Sequence, residues 1–253
     1  YGLFDDRISG SIEYYIRNTT DLLNYVPVPA GTNLTNFLVT NVGDLQNKGI
    51  EFSISANPIR KATQNLDLTF NITANKNKIT RLTATEDPSY QGVATGGISG
   101  GVGNNIQIHS VGYPASSFFV YEQVYAKDGK PIEGLYVDRN QDGTITPDDR
   151  YRFKSPNADF FMGFSAKYTI NKFDVGFSAR ANVGNHVYNN VLSNSGLYNN
   201  LYNSAGYINN VVSGTEAVDF KNAQYFSDHY INNESFLRFD NITLGYQLPT
   251  VSV

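Results

Sequence analysis

The sequence feature that most constrains the fold is a strict two-residue alternation of side-chain character across Phe160–Val183. Apolar side chains occupy every second position, and the pattern restarts at Phe173 after the dipeptide Asn171–Lys172. Because successive side chains of a strand point to opposite faces of a sheet, this segment predicts a β-hairpin with one apolar and one polar face. Each arm has the length of a strand that crosses a bilayer at a tilt, about 9–11 residues.

Six further segments show the same alternation. They span residues 8–17, 50–56, 66–75, 105–111, 117–126 and 236–248. In the last segment the alternation changes phase at Asp240–Asn241, and a β-bulge is the simplest explanation. The 18 Tyr, 16 Phe and 22 Gly of the chain also favour strands and turns. With the hairpin, the sequence therefore predicts about eight strands.

The predicted connections between these strands alternate between short and long. The short ones are residues 58–65, 112–116 and 171–172, and the long ones are 18–46, 80–104, 127–158 and 185–235. In an up-and-down meander this order places every long loop at one end, as in transmembrane barrels with short periplasmic turns and long extracellular loops. No run of about 18 apolar residues predicts a transmembrane helix. We therefore predict an all-β fold, an antiparallel up-and-down transmembrane β-barrel.

The same alternation assigns the predicted faces of the barrel wall. The side chains expected to meet lipid are apolar: Phe52, Ile54, Leu68, Phe70, Phe164, Val175 and Phe177. The side chains expected to line the lumen are polar: Glu51, Ser53, Asp67, Asn71, Thr73, Lys167, Asp174, Arg180 and Asn182.

Charge and composition exclude several classes of function. The 19 basic and 23 acidic residues leave a net charge of −4 without a basic stripe, so no nucleic-acid partner is expected. The absence of Cys excludes disulfides and thiolate metal sites. The three histidines, His109, His186 and His229, are scattered and show no metal-ligand spacing.

An acidic segment within residues 127–158 has the spacing of a calcium-binding loop. Such a loop supplies oxygens from positions 1, 3 and 5, a glycine at 6, a backbone carbonyl at 7 and a carboxylate at 12. The corresponding ligands are Asp138, Asn140, Asp142, the Thr144 carbonyl and Asp149, with Gly143 at the turn. The aspartate at position 12 reaches less far than glutamate, which predicts weaker binding. A structural calcium ion that orders an extracellular loop is the expectation, and an Asx-rich turn without metal is the alternative.

A second motif, Gly97-Ile98-Ser99-Gly100-Gly101, matches the GxSxG pattern of a nucleophile elbow. That motif requires a strand before the serine and a helix after it. Here it lies in a glycine-rich loop that also lacks the lysine of a phosphate-binding loop. The sequence therefore predicts a surface loop, and no enzyme activity is expected.

The long loop 185–235 combines many asparagines with tyrosines. Aromatic faces stack on sugar rings or peptide side chains, and amides bind polar ligands, so this loop is a candidate contact for a ligand or a partner lipoprotein. Packing of tyrosines over the barrel rim is the alternative. The candidate residues are Tyr188, Tyr198, Tyr202, Tyr207 and Tyr225.

Several stretches resemble SusC-type (RagA/SusC) TonB-dependent outer-membrane transporters. They are GLFDDRISGSIEYYIRNTTDLL, NVGDLQNKGIEFSISANP, NKNKI, VGYPASSFFVYEQVYAKDG, YVDRNQDGTITPDDR, the 160–184 hairpin and SFLRFDNITLGYQLP. They occur in the family's order and span nearly the whole chain. The series together is specific, although no single motif decides it.

The resemblance implies further properties of the parent protein. It implies a plugged barrel of about 22 strands in the outer membrane of a Gram-negative bacterium. It also implies uptake of glycans, oligosaccharides or peptides, driven by TonB through the N-terminal part, with a SusD-like surface lipoprotein as lid. Residues 1–253 are then expected to be part of the C-terminal portion of one barrel domain, without the plug, the N-terminal region and the last strands.

Two other architectures remain open at this point. A soluble, calcium-stabilised all-β carbohydrate-binding module would explain the acidic loop and the tyrosines. A complete eight-stranded barrel would explain the strand count. The sorting of loop lengths argues against the first, and the second would need a closing strand pair.

Overall fold

The computed structural model describes residues 2–27, 37–85, 87, 89–100, 103–201 and 210–248. Two short helices, α1 (Asn190–Ser195) and α2 (Thr215–Val218), accompany the strands. No helix in these ranges is long and apolar enough to cross a membrane. In chain order the strands are β1 (Gly2–Leu3), β2 (Ile8–Pro27), β3 (Phe37–Lys61), β4 (Gln64–Arg81), β5 (Val93–Gly97), β6 (Asn105–His109), β7 (Ser117–Val120), β8 (Gln123–Tyr125), β9 (Pro131–Tyr136), β10 (Tyr151–Phe153), β11 (Phe160–Ile170), β12 (Phe173–Val183), β13 (His186–Tyr188), β14 (Ile231–Asn233) and β15 (Phe236–Tyr246).

Seven strands form one antiparallel sheet that curls as a half-barrel, in the order β1-β2-β3-β4-β11-β12-β15. The all-β barrel architecture predicted from the alternation is confirmed. The hairpin at its centre pairs without interruption from Phe160↔Val183 to Ile170↔Phe173. Asn171 in its two-residue turn adopts a φ of 54°, a left-handed conformation that Asn tolerates better than most residues.

The predicted bulge in β15 is also present. Ser178 pairs with Asn241 and Ala179 pairs with Phe239, so Asp240 is the extra residue. The bulge keeps Phe239 and Ile242 on the same apolar face despite their odd spacing, because one residue is left out of the pairing.

The predicted loop at residues 18–46 is wrong over most of its length. β2 continues to Pro27 and β3 begins at Phe37, and the two pair far beyond the apolar segments. Above the membrane both faces of a strand meet water, so alternation is no longer required and polar residues continue the ladder. Residues 28–36 lie outside the described ranges.

The segments 105–111 and 117–126 form strands outside the barrel wall, so six of the eight predicted strands belong to the wall, and the short β1, which was not predicted, is its seventh strand. β6 and β7 belong to a separate four-stranded sheet in the order β10-β7-β6-β5, and β8 pairs with β9 in a two-stranded sheet. The barrel connections still sort by length. Residues 4–7, 62–63 and 171–172 are short turns, whereas residues 82–159 and 184–235 are long excursions at the other end.

The strand register places the predicted residues on two faces. One apolar row joins Ile54, Phe70, Phe164, Ala179 and Phe239 across five strands. The neighbouring row on the opposite face joins Ser53, Asn71, Gly163, Arg180 and Arg238. The apolar face is uncovered, since Ile242 and Leu244 are 74% and 81% exposed. A wall with so large an exposed apolar face suits lipid and not water.

The described parts of the long excursions fold together into an extracellular cap, which we define as residues 89–100, 103–157, 185–201 and 210–233. Its core consists of Ile106, Phe118, Val120 and Ile231, next to a second cluster around Phe220 and Tyr230. The cap joins the wall where the Asn77 side-chain oxygen accepts a hydrogen bond from the Ala115 N–H at 2.7 Å. Since Asn77 shares the face of Asn71, the cap joins the wall on the lumen side.

The two faces predict opposite responses to charge. Phe70→Arg in the full-length barrel should lower the free energy of unfolding by about 2–4 kcal/mol, because Phe70 lies near the middle of the apolar band. Asn71→Arg, one residue away, should change it little. Urea unfolding in lipid vesicles measures both values, and equal tolerance at the two positions would contradict the assignment of faces.

Candidate functional site

The lumen side of the wall carries a cluster of three charged residues that the strand register creates. Arg180 and Arg238 are direct cross-strand partners, an arrangement that is unfavourable for like charges. The bulged Asp240 lies between them, with its Oδ1 at 3.4 Å from Arg180 Nε and 3.5 Å from Arg238 Nε. Both arginines remain more than half exposed. The inner wall therefore presents a net positive charge at this level.

Two aromatic rings interrupt the polar inner face just below the cap. Phe161 and Phe236 are both cross-strand partners of Asn182, one on each side. They are 42% and 40% exposed. Flat rings beside an amide form a surface on which a sugar ring or an apolar side chain can stack. Strand alternation alone assigned Phe161 to the polar set, but only the pairing of β11, β12 and β15 brings the two rings together.

A buried polar hub holds the cap in shape. The fully buried Ser227 donates its hydroxyl hydrogen to the Gln123 Oε1 at 2.7 Å. The Gln123 Nε2 donates to the carbonyl oxygens of Ile132 and Leu135 at 2.7 and 3.1 Å. The Gln123 side chain therefore connects the β8–β9 hairpin to the turn that precedes β14. This connection holds that turn against the hairpin.

Asp228 anchors the same junction. Its carboxylate accepts hydrogen bonds from the Gln123 N–H at 3.0 Å and from the Tyr151 hydroxyl at 2.7 Å. Burial raises the pKa of the Asp228 carboxyl above its ordinary value, although these hydrogen bonds act in the opposite direction. Burial also raises the pKa of the Tyr151 hydroxyl, so it remains a donor to Asp228. The adjacent His229 has a pKa lowered by burial.

Two arginines of the cap lie over aromatic rings at cation–π distances. The Arg150 guanidinium lies 5.0 Å from the Phe119 ring centre and 4.9 Å from that of Phe226. Arg152 lies 4.8 Å from Phe119 and also borders a cleft of about 560 Å³ between the cap and the barrel rim. These stacks hold cations in fixed positions. Sequence analysis did not single them out, because the partners are distant in the chain.

The predicted calcium ligands lie in one tightly wound loop. The Asp138 carboxylate accepts hydrogen bonds from the Gln141 and Gly143 N–H groups at 2.7 and 2.8 Å. The Asp142 carboxylate accepts from the Thr144 N–H at 2.8 Å, and the Asn140 Oδ1 accepts from the Asp142 N–H at 3.0 Å. Among the described residues no three His, Asp or Glu side chains are grouped as a metal site. Calcium binding here stays a prediction.

Asp149, the last predicted ligand, is fully buried and is the final residue of a 3₁₀ turn, Pro147–Asp149. Its carboxylate accepts hydrogen bonds from three backbone N–H groups, those of Thr146, Arg139 and Asn140, at 2.8, 2.9 and 3.3 Å. These bonds, led by that of Thr146, lower the pKa of the Asp149 carboxyl below its ordinary value. The carboxylate therefore closes the loop with or without an ion.

The candidate tyrosines divide into two groups. Tyr188 packs against both core clusters, and its hydroxyl donates to the Tyr225 carbonyl at 2.8 Å. Burial raises the pKa of Tyr188 to about 12. The packing alternative describes Tyr188 better than ligand contact. Tyr198 and Tyr225 are only partly buried and stay candidate contacts, whereas Tyr202 and Tyr207 lie outside the described residues.

The GxSxG serine lies in a turn between two strands. β5 ends at Gly97, and Ile98 donates its N–H to the Asn104 carbonyl as the chain turns back into β6. The Ser99 hydroxyl accepts a hydrogen bond from the Asn190 amide at 3.0 Å. A strand precedes the serine as an elbow requires, but a strand and not a helix follows it. Ser99 therefore lies in a loop, as predicted, and Gly101 of the motif lies outside the described residues.

The wall and cap define the class of protein: an outer-membrane β-barrel with polar inner and apolar outer faces. No protein-family model matches the chain. The TonB-dependent receptor SusC of Bacteroides thetaiotaomicron is 46% identical over 257 residues, which cover 99% of this chain and 25% of the relative. The TonB-dependent receptor P3 of Formosa agariphila is 30% identical over 98% of this chain and 26% of the relative.

Solved structures agree on the fold. The RagAB peptide transporter matches with a TM-score of 0.71 and 24% identity, over 98% of this chain and 28% of that chain. The protein belongs to the SusC-type TonB-dependent receptors and lies in the outer membrane. The chain spans about a quarter of the length of the curated relatives it matches.

The acidic loop predicts a measurable calcium affinity. Calorimetry of the full-length receptor with millimolar Ca²⁺ should show binding heat, because four side chains and the Thr144 carbonyl can supply oxygen ligands. Asp142→Ala should abolish that heat, whereas Asp128→Ala, in a neighbouring exposed turn, should not. Absence of heat in the unaltered protein would remove the calcium hypothesis.

The lowered pKa of Asp149 predicts a loop that loosens in acid. Its contribution to stability is fully present above the ordinary pKa of 3.8 and is lost as the pH falls through the lower folded value. The protection of the amides of residues 138–150 against hydrogen exchange, corrected for the intrinsic exchange rate at each pH, should therefore fall below about pH 4. Asp149→Asn should show faster exchange already at neutral pH. Asp148→Asn is the control, because the Asp148 carboxylate accepts a hydrogen bond from the Gln91 side chain and not from the loop backbone. Equal exchange in the Asp148→Asn and Asp149→Asn variants would contradict the role of Asp149.

Proposed function

We propose that the full-length receptor imports an oligosaccharide or a peptide across the outer membrane in TonB-dependent steps, with a SusD-like lipoprotein at its extracellular face. The observation that carries this proposal is the 46% identity to SusC across 99% of the chain. The barrel wall agrees with it, because one face is polar and the other apolar. On this proposal the described residues perform no covalent chemistry.

The inner face supports a substrate of mixed polar and ring-like character. Phe161 and Phe236 offer stacking surfaces, and Asn182 between them offers an amide. The Arg180–Arg238–Asp240 cluster adds positive charge two residues deeper along β12. Such a combination suits either a sugar chain or a peptide with acidic groups. TonB would act on the full-length receptor, and this chain spans about a quarter of the length of the relatives it matches.

The soluble carbohydrate-binding module is the weaker proposal. Its apolar strand positions would need a protein core, yet Leu237, Ile242 and Leu244 are 69%, 74% and 81% exposed. Such a surface would aggregate in water. The acidic loop and the tyrosines that favoured the module lie in the cap, where they are equally compatible with a transporter.

An uptake experiment with labelled substrates tests the transport function. Deletion of the receptor gene should abolish uptake of one class of labelled substrate, oligosaccharide or peptide, and loss of TonB should have the same effect. Uptake that persists without TonB would overturn the proposal. Phe161→Ser combined with Phe236→Ser should weaken uptake about tenfold if each ring contributes about 0.5–1.5 kcal/mol of stacking. Phe164→Leu with Phe239→Leu, on the lipid face, is the matched control and should leave uptake unchanged.

A further inference from the structure

We propose that the outer face of the barrel wall carries a binding site for a phosphate-bearing lipid headgroup of the outer leaflet, formed by Lys48, Lys76 and Lys78. The inference goes beyond transport and depends only on the position of this wall in the outer membrane. Its failure would leave uptake untouched, and a failure of the uptake proposal would leave this site in place.

The strand register puts the three lysines on the lipid-facing side. Lys48 and Lys76 are direct cross-strand partners, and Lys78 pairs with Gln46 in the next row. The pairing of β3 with β4 runs without a bulge from Leu45 to Ala56. Because faces alternate strictly along an uninterrupted ladder, Lys48 shares the face of Phe52, and Lys76 and Lys78 share that of Phe70.

β4 also gives the height of the site. The outward positions between Gln64 and Lys76 are all apolar: Leu66, Leu68, Phe70, Ile72 and Ala74. Lys76 follows Gln64 by 12 residues, which is about 40 Å along the strand and, at a tilt of about 40–45°, about 30 Å along the membrane normal. The apolar band of such barrels is about 25 Å tall. Lys76 therefore lies just beyond the acyl chains, at the level of the headgroups.

This end of β4 is the extracellular one. β4 begins after the short turn at residues 62–63 and leads into the long excursion 82–159. Long excursions mark the outside of an outer-membrane barrel. The headgroups that Lys76 meets are therefore those of the outer leaflet.

The charges of the lysines are not balanced by the protein. All three are exposed, and none forms an ion pair among the described residues. Two like charges directly opposite each other on a sheet are unfavourable, as Lys48 and Lys76 are here. An anion bound between them would relieve this repulsion. The single carboxylate among the described residues lining the groove beneath them is that of Asp159.

A groove of about 460 Å³ lies next to the lysine pair. Ala74 forms its floor, between the larger Ile50 and Phe160 in the same cross-strand row. Tyr14 and Phe160 are 65% and 41% exposed and flank it at the interface, where aromatic rings favour headgroups. The groove can hold the upper part of an acyl chain while the lysines contact the phosphate, since clusters of basic residues attract anionic headgroups.

Lipid retention tests this site. The full-length receptor is purified in mild detergent and incubated with phosphorylated glycolipid extracted from the same outer membrane, or with that lipid after phosphatase treatment. Native mass spectrometry counts the retained lipid. The unaltered receptor should retain the phosphorylated form, and the triple variant Lys48→Gln, Lys76→Gln, Lys78→Gln should retain at least about tenfold less.

The control removes the same number of charges elsewhere. The control variant combines Lys61→Gln and Lys172→Gln at the periplasmic turns with Lys167→Gln on the lumen face. It should retain as much lipid as the unaltered receptor does. Equal retention by the two triple variants would overturn the proposal, as would equal retention of the phosphorylated and dephosphorylated lipids. The proposal would also be overturned if the Lys48, Lys76 and Lys78 triple variant retained the lipid but no longer bound the partner lipoprotein. The three lysines would then form a protein-docking surface.

Discussion

Backbone hydrogen bonding in a medium without water is the constraint on which this structure depends. Every N–H and C=O group within the hydrocarbon must find a partner in the protein, and a continuous antiparallel ladder provides one for each residue. Within the apolar band the ladder from β2 to β15 has one bulge between β12 and β15 and one register shift near the periplasmic end of β3, whereas the shifts at Thr19–Leu23 and Asp44–Leu45 lie towards the extracellular end. Once the ladder is fixed, alternation decides which side chains meet lipid and which face the lumen.

Outside the hydrocarbon the same chain obeys different rules. The cap uses strands of three to six residues, two small hydrophobic clusters and buried polar hubs such as Gln123 and Asp228. Water can satisfy irregular backbone there, so the cap is free to build clefts and stacked arginines. The division explains why candidate ligand contacts gather in the cap and at the inner rim, whereas the middle of the wall is repetitive.

Sequence predicted the features that follow from the period of two. It located the central hairpin, the bulge at Asp240 and the two faces of the wall, because lipid on one side enforces the alternation residue by residue. It failed above the membrane, where residues 18–27 and 37–46 pair without apolar alternation. It also placed residues 105–126 in the wall, since short strands of a cap show the same local pattern as strands of a barrel.

The candidate site was less predictable, because its geometry depends on partners distant in the chain. Tyr188 packs against both core clusters of the cap, and Tyr225 belongs to neither, although both tyrosines lie in the same asparagine-rich loop of the sequence. Phe161 and Phe236 are 75 residues apart and meet only through β12. Neither composition nor spacing can reveal such a juxtaposition before the strand order is known.

The wall contains like-charged cross-strand pairs on both faces, and the protein treats them differently. On the inner face the bulge inserts Asp240 between Arg180 and Arg238, so the chain supplies its own counter-charge. On the outer face Lys48 opposes Lys76 without an ion pair among the described residues. An unbalanced pair is tolerable where the surroundings provide anions, and the headgroup layer is such a place. A second inner-face pair, Glu13 opposite Glu51, also has no ion pair among the described residues, so water and salt in the lumen must screen such charges there, as the headgroup layer does at the outer rim.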